Sequence, residues 1–183
     1  ITWDGPSQLA MKFRTRAASA SDLVGIGRSK WPAVKRIAEN VDGLVDAEVS
    51  MGGAAADPDV VATARVQDLS LWGQRFKDGE FGLEFKEFQR LAVSGLTLHR
   101  GDGEITADGT YDRRGGAFQF SARSRRLRAE DLDLLQAERP DLRGGVTFSA
   151  KGSGTLDKPR VTGRLTLRDF RLEDKEQGDQ PLG

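Results

Sequence analysis

One stretch constrains this chain more than any other: the period-two alternation that runs from Leu142 to Phe170. Val146, Phe148 and Ala150 alternate with Thr147, Ser149 and Lys151. Val161, Gly163, Leu165 and Leu167 then alternate with Thr162, Arg164, Thr166 and Arg168. Successive side chains of a strand point to opposite faces, so each arm has one apolar and one polar face. Asp157-Lys158-Pro159 separates the arms, and proline there fixes its own φ and gives a ladder no donor. The stretch reads as a half-buried antiparallel hairpin.

The same skeleton occurs earlier, from Val41 to Leu69. Gly43 answers Gly144, Pro58 answers Pro159, Val60 answers Val161 and Val66 answers Leu167. Asp68-Leu69 answers Asp169-Phe170, and all five pairs share one spacing. Upstream, Thr2-Trp3-Asp4 stands against Thr110-Tyr111-Asp112, and Ser21-Asp22-Leu23 against Glu130-Asp131-Leu132, at slightly larger spacings. The first copy is therefore longer between Asp22 and Val41. Internal repetition changes the architecture and is read before any fold. It implies one repeat domain over residues 1–172, made of a partial repeat over 1–69 and a second over 70–172. A charged tail over 173–183 is expected to fray.

In chain order, Leu9, Met11 and Phe13 mark a strand after a Gly5-Pro6-Ser7 turn. From Asp22 to Asn40 the apolar spacing turns helical. Pro32 divides that stretch into a short turn near 22–28 and a helix that starts at Pro32, whose apolar stripe is expected to cover an edge or end of the sheet. Trp72 to Gly79 reads as a turn region. Phe81, Leu83 and Phe85 alternate next, and Leu91 and Val93 lead to Leu96 and Leu98 with a phase slip at Gly95 that predicts a bulge. Gly101-Asp102-Gly103 and Arg113-Arg114-Gly115-Gly116 read as turns, and Gly152-Ser153-Gly154 as a strand break. Glu130 to Arg139 reads as a helix with acids in its first turn, Leu132 and Leu135 on its buried side, and Pro140 after it. The total is about eleven or twelve strands and two short helices, too many for one flat open sheet. The periodicity fits a curled antiparallel groove and a β-sandwich equally well.

The chemistry-bearing residues are sparse. The sequence holds 28 Lys plus Arg and 28 Asp plus Glu, for a net charge of zero, without the basic excess of a nucleic-acid binder. Arg123 to Arg128 is a local basic run, read as a solvated strand end or as a contact for anionic phospholipid headgroups. There is no cysteine, so thiolate catalysis and disulfides do not arise within these 183 residues. His99 is a lone histidine beside a turn. Asp102, Glu104, Asp108 and Asp112 miss the EF-hand spacing. Gly25 to Lys30 lacks the closing Gly-Lys-Ser/Thr of a phosphate loop, and no Gly-x-Ser-x-Gly elbow occurs. No catalytic constellation and no cofactor is expected, and no apolar run is long enough to span a bilayer as a helix. The apolar strand face remains as the candidate for function. An alternating stripe by itself is usually a closed core.

Several of these motifs resemble a known family. Gly154-Thr155-Leu156-Asp157-Lys158-Pro159 followed by Gly163-Arg164-Leu165-Thr166-Leu167-Arg168-Asp169 is similar to the C-terminal repeats of TamB and related AsmA-like bacterial envelope proteins. Gly109-Thr110-Tyr111-Asp112 resembles another part of that repeat. The resemblance covers Trp3 to Leu172. The first copy departs from it at Ala55-Ala56-Asp57, which stands where Leu156-Asp157-Lys158 does. The resemblance implies a mostly β, elongated, U-shaped groove. It implies that the chain, which begins at Ile1, is a segment of a longer periplasmic protein anchored in the inner membrane of a Gram-negative-type bacterium. It further implies a groove that takes phospholipid acyl chains between the two membranes, and a TamA-like outer-membrane barrel as partner. The implied lining is Val45, Val49, Val60, Val66, Phe81, Leu83, Phe85, Leu91, Val93, Leu96, Leu98, Ile105, Phe118, Phe120, Val146, Phe148, Val161, Leu165 and Leu167. The alternative that it leaves open is an assembly module that pairs its strand edges with incoming outer-membrane strands.

Overall fold

The computed structural model describes residues 8–22, 40–54, 57–87 and 89–172. The expected helix from Pro32, the Gly5-Pro6-Ser7 turn, the Gly25–Lys30 loop and the charged tail lie outside these residues. Ten strands form one sheet: β1 Gln8–Ser19, β2 Val41–Ala54, β3 Asp57–Leu71, β4 Gln74–Lys86, β5 Arg90–Arg100, β6 Gly103–Asp112, β7 Ala117–Arg125, β8 Leu127–Arg128, β9 Leu142–Thr155 and β10 Lys158–Leu172. A 3-10 turn over Ala129–Asp131 and the α-helix α1 over Asp133–Glu138 separate β8 from β9.

The order across the sheet is the order along the chain, β1 to β7 and then β9 and β10, with β8 paired to β9. Every pairing is antiparallel. The sheet curls without closing into a barrel, and there is no second sheet for a sandwich among the described residues. From β2 to β7, and again from β9 to β10, short hairpins produce this result because each strand finds its partner at the nearest turn, while β1 and β9 join through longer connections.

The two repeat copies share backbone detail. Gly43 and Gly144 have φ of +133° and +137°, and Asp68 and Asp169, on the strands facing them, have φ of +50° and +51°. Each pair marks a register shift, between Asp42 and Leu44 in one hairpin and between Arg168 and Arg171 in the other. A Cβ on Gly144 would stand 2.8 Å from the Arg168 carbonyl oxygen, so only glycine fits there without displacing the neighbouring strand. Gly95 is the bulge that the phase slip predicts: its φ is +58°, and its N–H donates to Asp108 Oδ1 at 2.8 Å.

Three expectations need correction. Trp72 to Gly79 is not a turn region. Only Trp72 and Gly73 turn, because Phe76 pairs with Leu69 in a buried contact and Gly79 lies between Val66 and Leu98. Gly152-Ser153-Gly154 does not break β9. A Cβ on Gly152 would overlap the ring of Phe120, so the glycine makes room for an aromatic side chain on the next strand. The Glu130–Arg139 helix is divided, since Leu132 is extended (φ −94°, ψ 101°) between the 3-10 turn and α1.

Among the described residues two apolar clusters, one on β2 to β5 and one beside β8 and β9, both pack against Ile105. Val45, Ala64, Val66, Leu69, Phe76 and Leu98 gather with Ala20. Leu127, 1% exposed, packs with Ala129 and Val146, and Leu132 and Leu135 cover that group as expected. Polar contacts hold the helical segment in place. Arg100 donates to the Asp131 carbonyl at 2.7 Å and to Asp133 Oδ1 at 2.9 Å, and the Arg75 N–H reaches Asp133 Oδ2 at 2.9 Å. Burial pushes the Asp133 carboxyl up, but the Arg75 N–H and the Arg100 and Arg75 guanidiniums outweigh it and hold the group below its ordinary 3.8.

Candidate functional site: the apolar face

Register places the expected lining on a single face. One line across the sheet joins Phe13, Val49, Ala62, Leu83, Val93, Gly109, Phe120, Gly152 and Val161. A second joins Met11, Met51, Val60, Phe85, Leu91, Tyr111, Phe118, Gly154 and Pro159. A third joins Ala18, Val45, Val66, Gly79, Leu98, Ile105 and Ser124. Phe148 continues it, since its N–H donates to Ser124 Oγ at 2.9 Å, and Leu165 lies opposite Phe148. Phe81 faces Ala64, Leu96 faces Ala107 and Leu167 faces Val146 on the same side. The bulge at Gly95 does essential work here. Without the extra residue, Leu96 and Leu98 would fall on the face opposite Leu91 and Val93.

On the first line small residues stand beside large ones, Ala62 next to Leu83 and Gly109 and Gly152 on either side of Phe120. Phe120 lies between Gly109 and Gly152 in register with its ring over Gly152, and the ring stacks with that of Phe118 at 6.2 Å between centroids. The face is half-buried by its own side chains over β2 to β7. It opens over β10, where Val161 is 60% and Leu165 63% exposed. No element among the described residues packs over that end. The sequence list omitted Met11, Phe13, Met51 and Tyr111, which lie on the same lines. Their alternation was visible, but only register shows that they share the face.

The opposite face is polar. Arg14 is ion-paired with Glu48, Arg65 lies opposite Glu80 in register, and Lys86 meets Glu84 at 2.8 Å. His99 Nδ1 lies 2.7 Å from Asp78 Oδ1 at the rim of β5. Surface depressions lie over this polar face, one of about 740 Å³ over β1 to β5, one of about 490 Å³ over β6 to β10, and one of about 730 Å³ over β5 to β10 that shares Asp108, Ser121, Lys151 and Thr162 with the second and adds Arg160. Among the described residues no group of three His, Asp or Glu side chains is placed to hold a metal ion.

Comparison with protein-family models, with curated proteins and with solved structures finds no match.

Proposed function

We propose that this chain is a segment of a TamB/AsmA-like envelope protein whose apolar β-face carries phospholipid acyl chains between the inner and outer membranes and so supports outer-membrane biogenesis. One observation carries the reading: the apolar lines cross nine strands without a polar interruption longer than one residue and emerge exposed on β10. Each methylene taken out of water gains roughly 0.8 kcal/mol, so an acyl chain lying along such a face needs no specific contact at any one position. Headgroups stay in water and no covalent chemistry is required. The same reading places the chain in the periplasm, with its parent anchored in the inner membrane and a TamA-like barrel at the other end.

Leu165→Glu tests it. Leu165 is 63% exposed, so the charge disturbs the apolar path more than the packing, whereas Phe120→Asp would also lose the contact with Gly152. Mass spectrometry of lipid extracted from the purified protein is expected to find phospholipid in the wild type and little in a folded Leu165→Glu. A wild type that carries no lipid, with a variant that unfolds, would mean that the face is core and would overturn the proposal.

The alternative of strand addition draws on β10, every residue of which is exposed. On that reading a proline within β10 abolishes partner binding and leaves acyl binding intact.

A further inference from the structure

The polar face holds a second feature, which the lipid reading neither uses nor requires. Strands β1, β2 and β3 build the same frame as β7, β9 and β10. In the first frame Arg14 faces Glu48, and Glu48 faces Thr63. In the second, Arg123 faces Ser149, and Ser149 faces Arg164. One line over, Lys12, Ser50 and Val61 become Ser121, Lys151 and Thr162. Both frames carry a depression over this face. The first is balanced: Arg14, Arg16 and Arg65 line it with Asp46, Glu48 and Glu80. The second sets Arg123, Lys151 and Arg164 against Asp108 alone, and Asp108 Oδ1 already accepts from the Gly95 N–H.

The protein thus provides its own comparison. The Glu48 carboxylate that neutralises Arg14 becomes the Ser149 hydroxyl, and Arg164 and Lys151 stand beside it where the first frame has Thr63 and Ser50, while Ser121 replaces Lys12. Among the described residues none of Arg123, Lys151 and Arg164 is ion-paired, and Arg123 donates only to Thr106 Oγ1 at 3.0 Å. Strands lie about 4.8 Å apart, so Arg123 and Arg164 flank Ser149 with backbones about 10 Å from each other, within joint reach of one small anion. Like charges gathered on neighbouring strands repel, and an anion bound among them removes that cost.

We infer that this depression binds a phosphoryl anion. Arg123 and Arg164 grip it from either side through forked N–H donors, Lys151 supplies a third charge, and the hydroxyls of Ser149 and Thr162 complete the donor set.

The test restores the first frame's arrangement with Ser149→Glu. Inorganic phosphate is titrated into the whole chain and followed by NMR. Vesicles of phosphatidylglycerol and of phosphatidylcholine are tested beside it. Saturable shifts at Arg123, Lys151 and Arg164 are expected, with affinity about tenfold or more weaker in Ser149→Glu while its melting curve matches the wild type. If Ser149→Glu fails to fold, Arg164→Gln at the exposed β10 position is expected to give a similar loss. Binding of phosphatidylglycerol vesicles alone, also lost in the variant, would identify the source of the phosphoryl group as a lipid headgroup. The inference is overturned if neither probe binds, if binding survives both variants, or if the shifts spread equally over Arg168 and Arg171.

Discussion

Two glycines show how unequally the backbone leaves room for a side chain. Gly144 adopts φ +137° with the Arg168 carbonyl directly behind the position a Cβ would take. Gly144→Ala is expected to cost about 1–3 kcal/mol in urea unfolding. Gly115 has open space around it, and Gly115→Ala is expected to stay within about 0.5 kcal/mol of the wild type. Equal effects at the two sites would contradict the strain argument. Asp133 gives a prediction in pH. Its folded carboxyl titrates below the ordinary 3.8, so the folded state holds that proton less tightly than the unfolded chain does. The contribution is complete above the ordinary value and is lost as pH falls through the folded one. Asp133→Ala is expected to lower stability by about 1–3 kcal/mol at neutral pH, and the gap from wild type should close in acid. A gap that is constant from neutral to acid pH would show that packing, and not charge, is what the substitution removed.

At the scale of elements, the seam between β7 and β9 depends on one aromatic ring over one glycine. Gly152→Ala forces Phe120 out of its place, and Phe120→Leu in the same chain is expected to recover part of the loss. A double-mutant cycle should give a coupling of about 0.5–3 kcal/mol, and additive effects would deny the contact. This seam also shows where the sequence was hard to read. Gly152 and Gly154 carry the statistical mark of a break, and nothing in the local sequence tells that Phe120, a strand away, fills the space. Gly79 misled in the same way, as a turn residue that instead lies beneath Leu98. The slip at Gly95 was legible because the apolar period itself changes phase there. The helix over Glu130–Arg139 was legible in kind. Its division at Leu132 was not, because it answers to tertiary contacts: Leu132 packs against the Leu127, Ala129 and Val146 cluster, and Arg100 holds Asp131 and Asp133.

For the whole molecule, alternation and the repeat were enough to read a mostly antiparallel sheet. They could not separate a groove from a sandwich, because period two says which residues share a face and not what lies opposite that face. Sheet order decides that, and from β2 to β7 and from β9 to β10 the order follows from the short turns joining one strand to the next. The order also predicts how the sheet opens. Inner strands carry ladders on both sides and outer ones on a single side, so amides of β4 and β5 are expected to exchange slowest and those of β1 and β10 fastest. One uniform exchange rate would show an all-or-none unit instead.

That sequential order has a consequence for how such a chain changes over generations. It behaves as a tape whose unit of length is the hairpin. Removing or duplicating two consecutive strands returns the backbone to the same direction and every later side chain to the same face, whereas an odd number would reverse the run of all that follows. Growth by pairs is thus the cheap edit, and the two matching hairpins, one with Glu48 where the other has Ser149, have the form that copying followed by drift would leave behind.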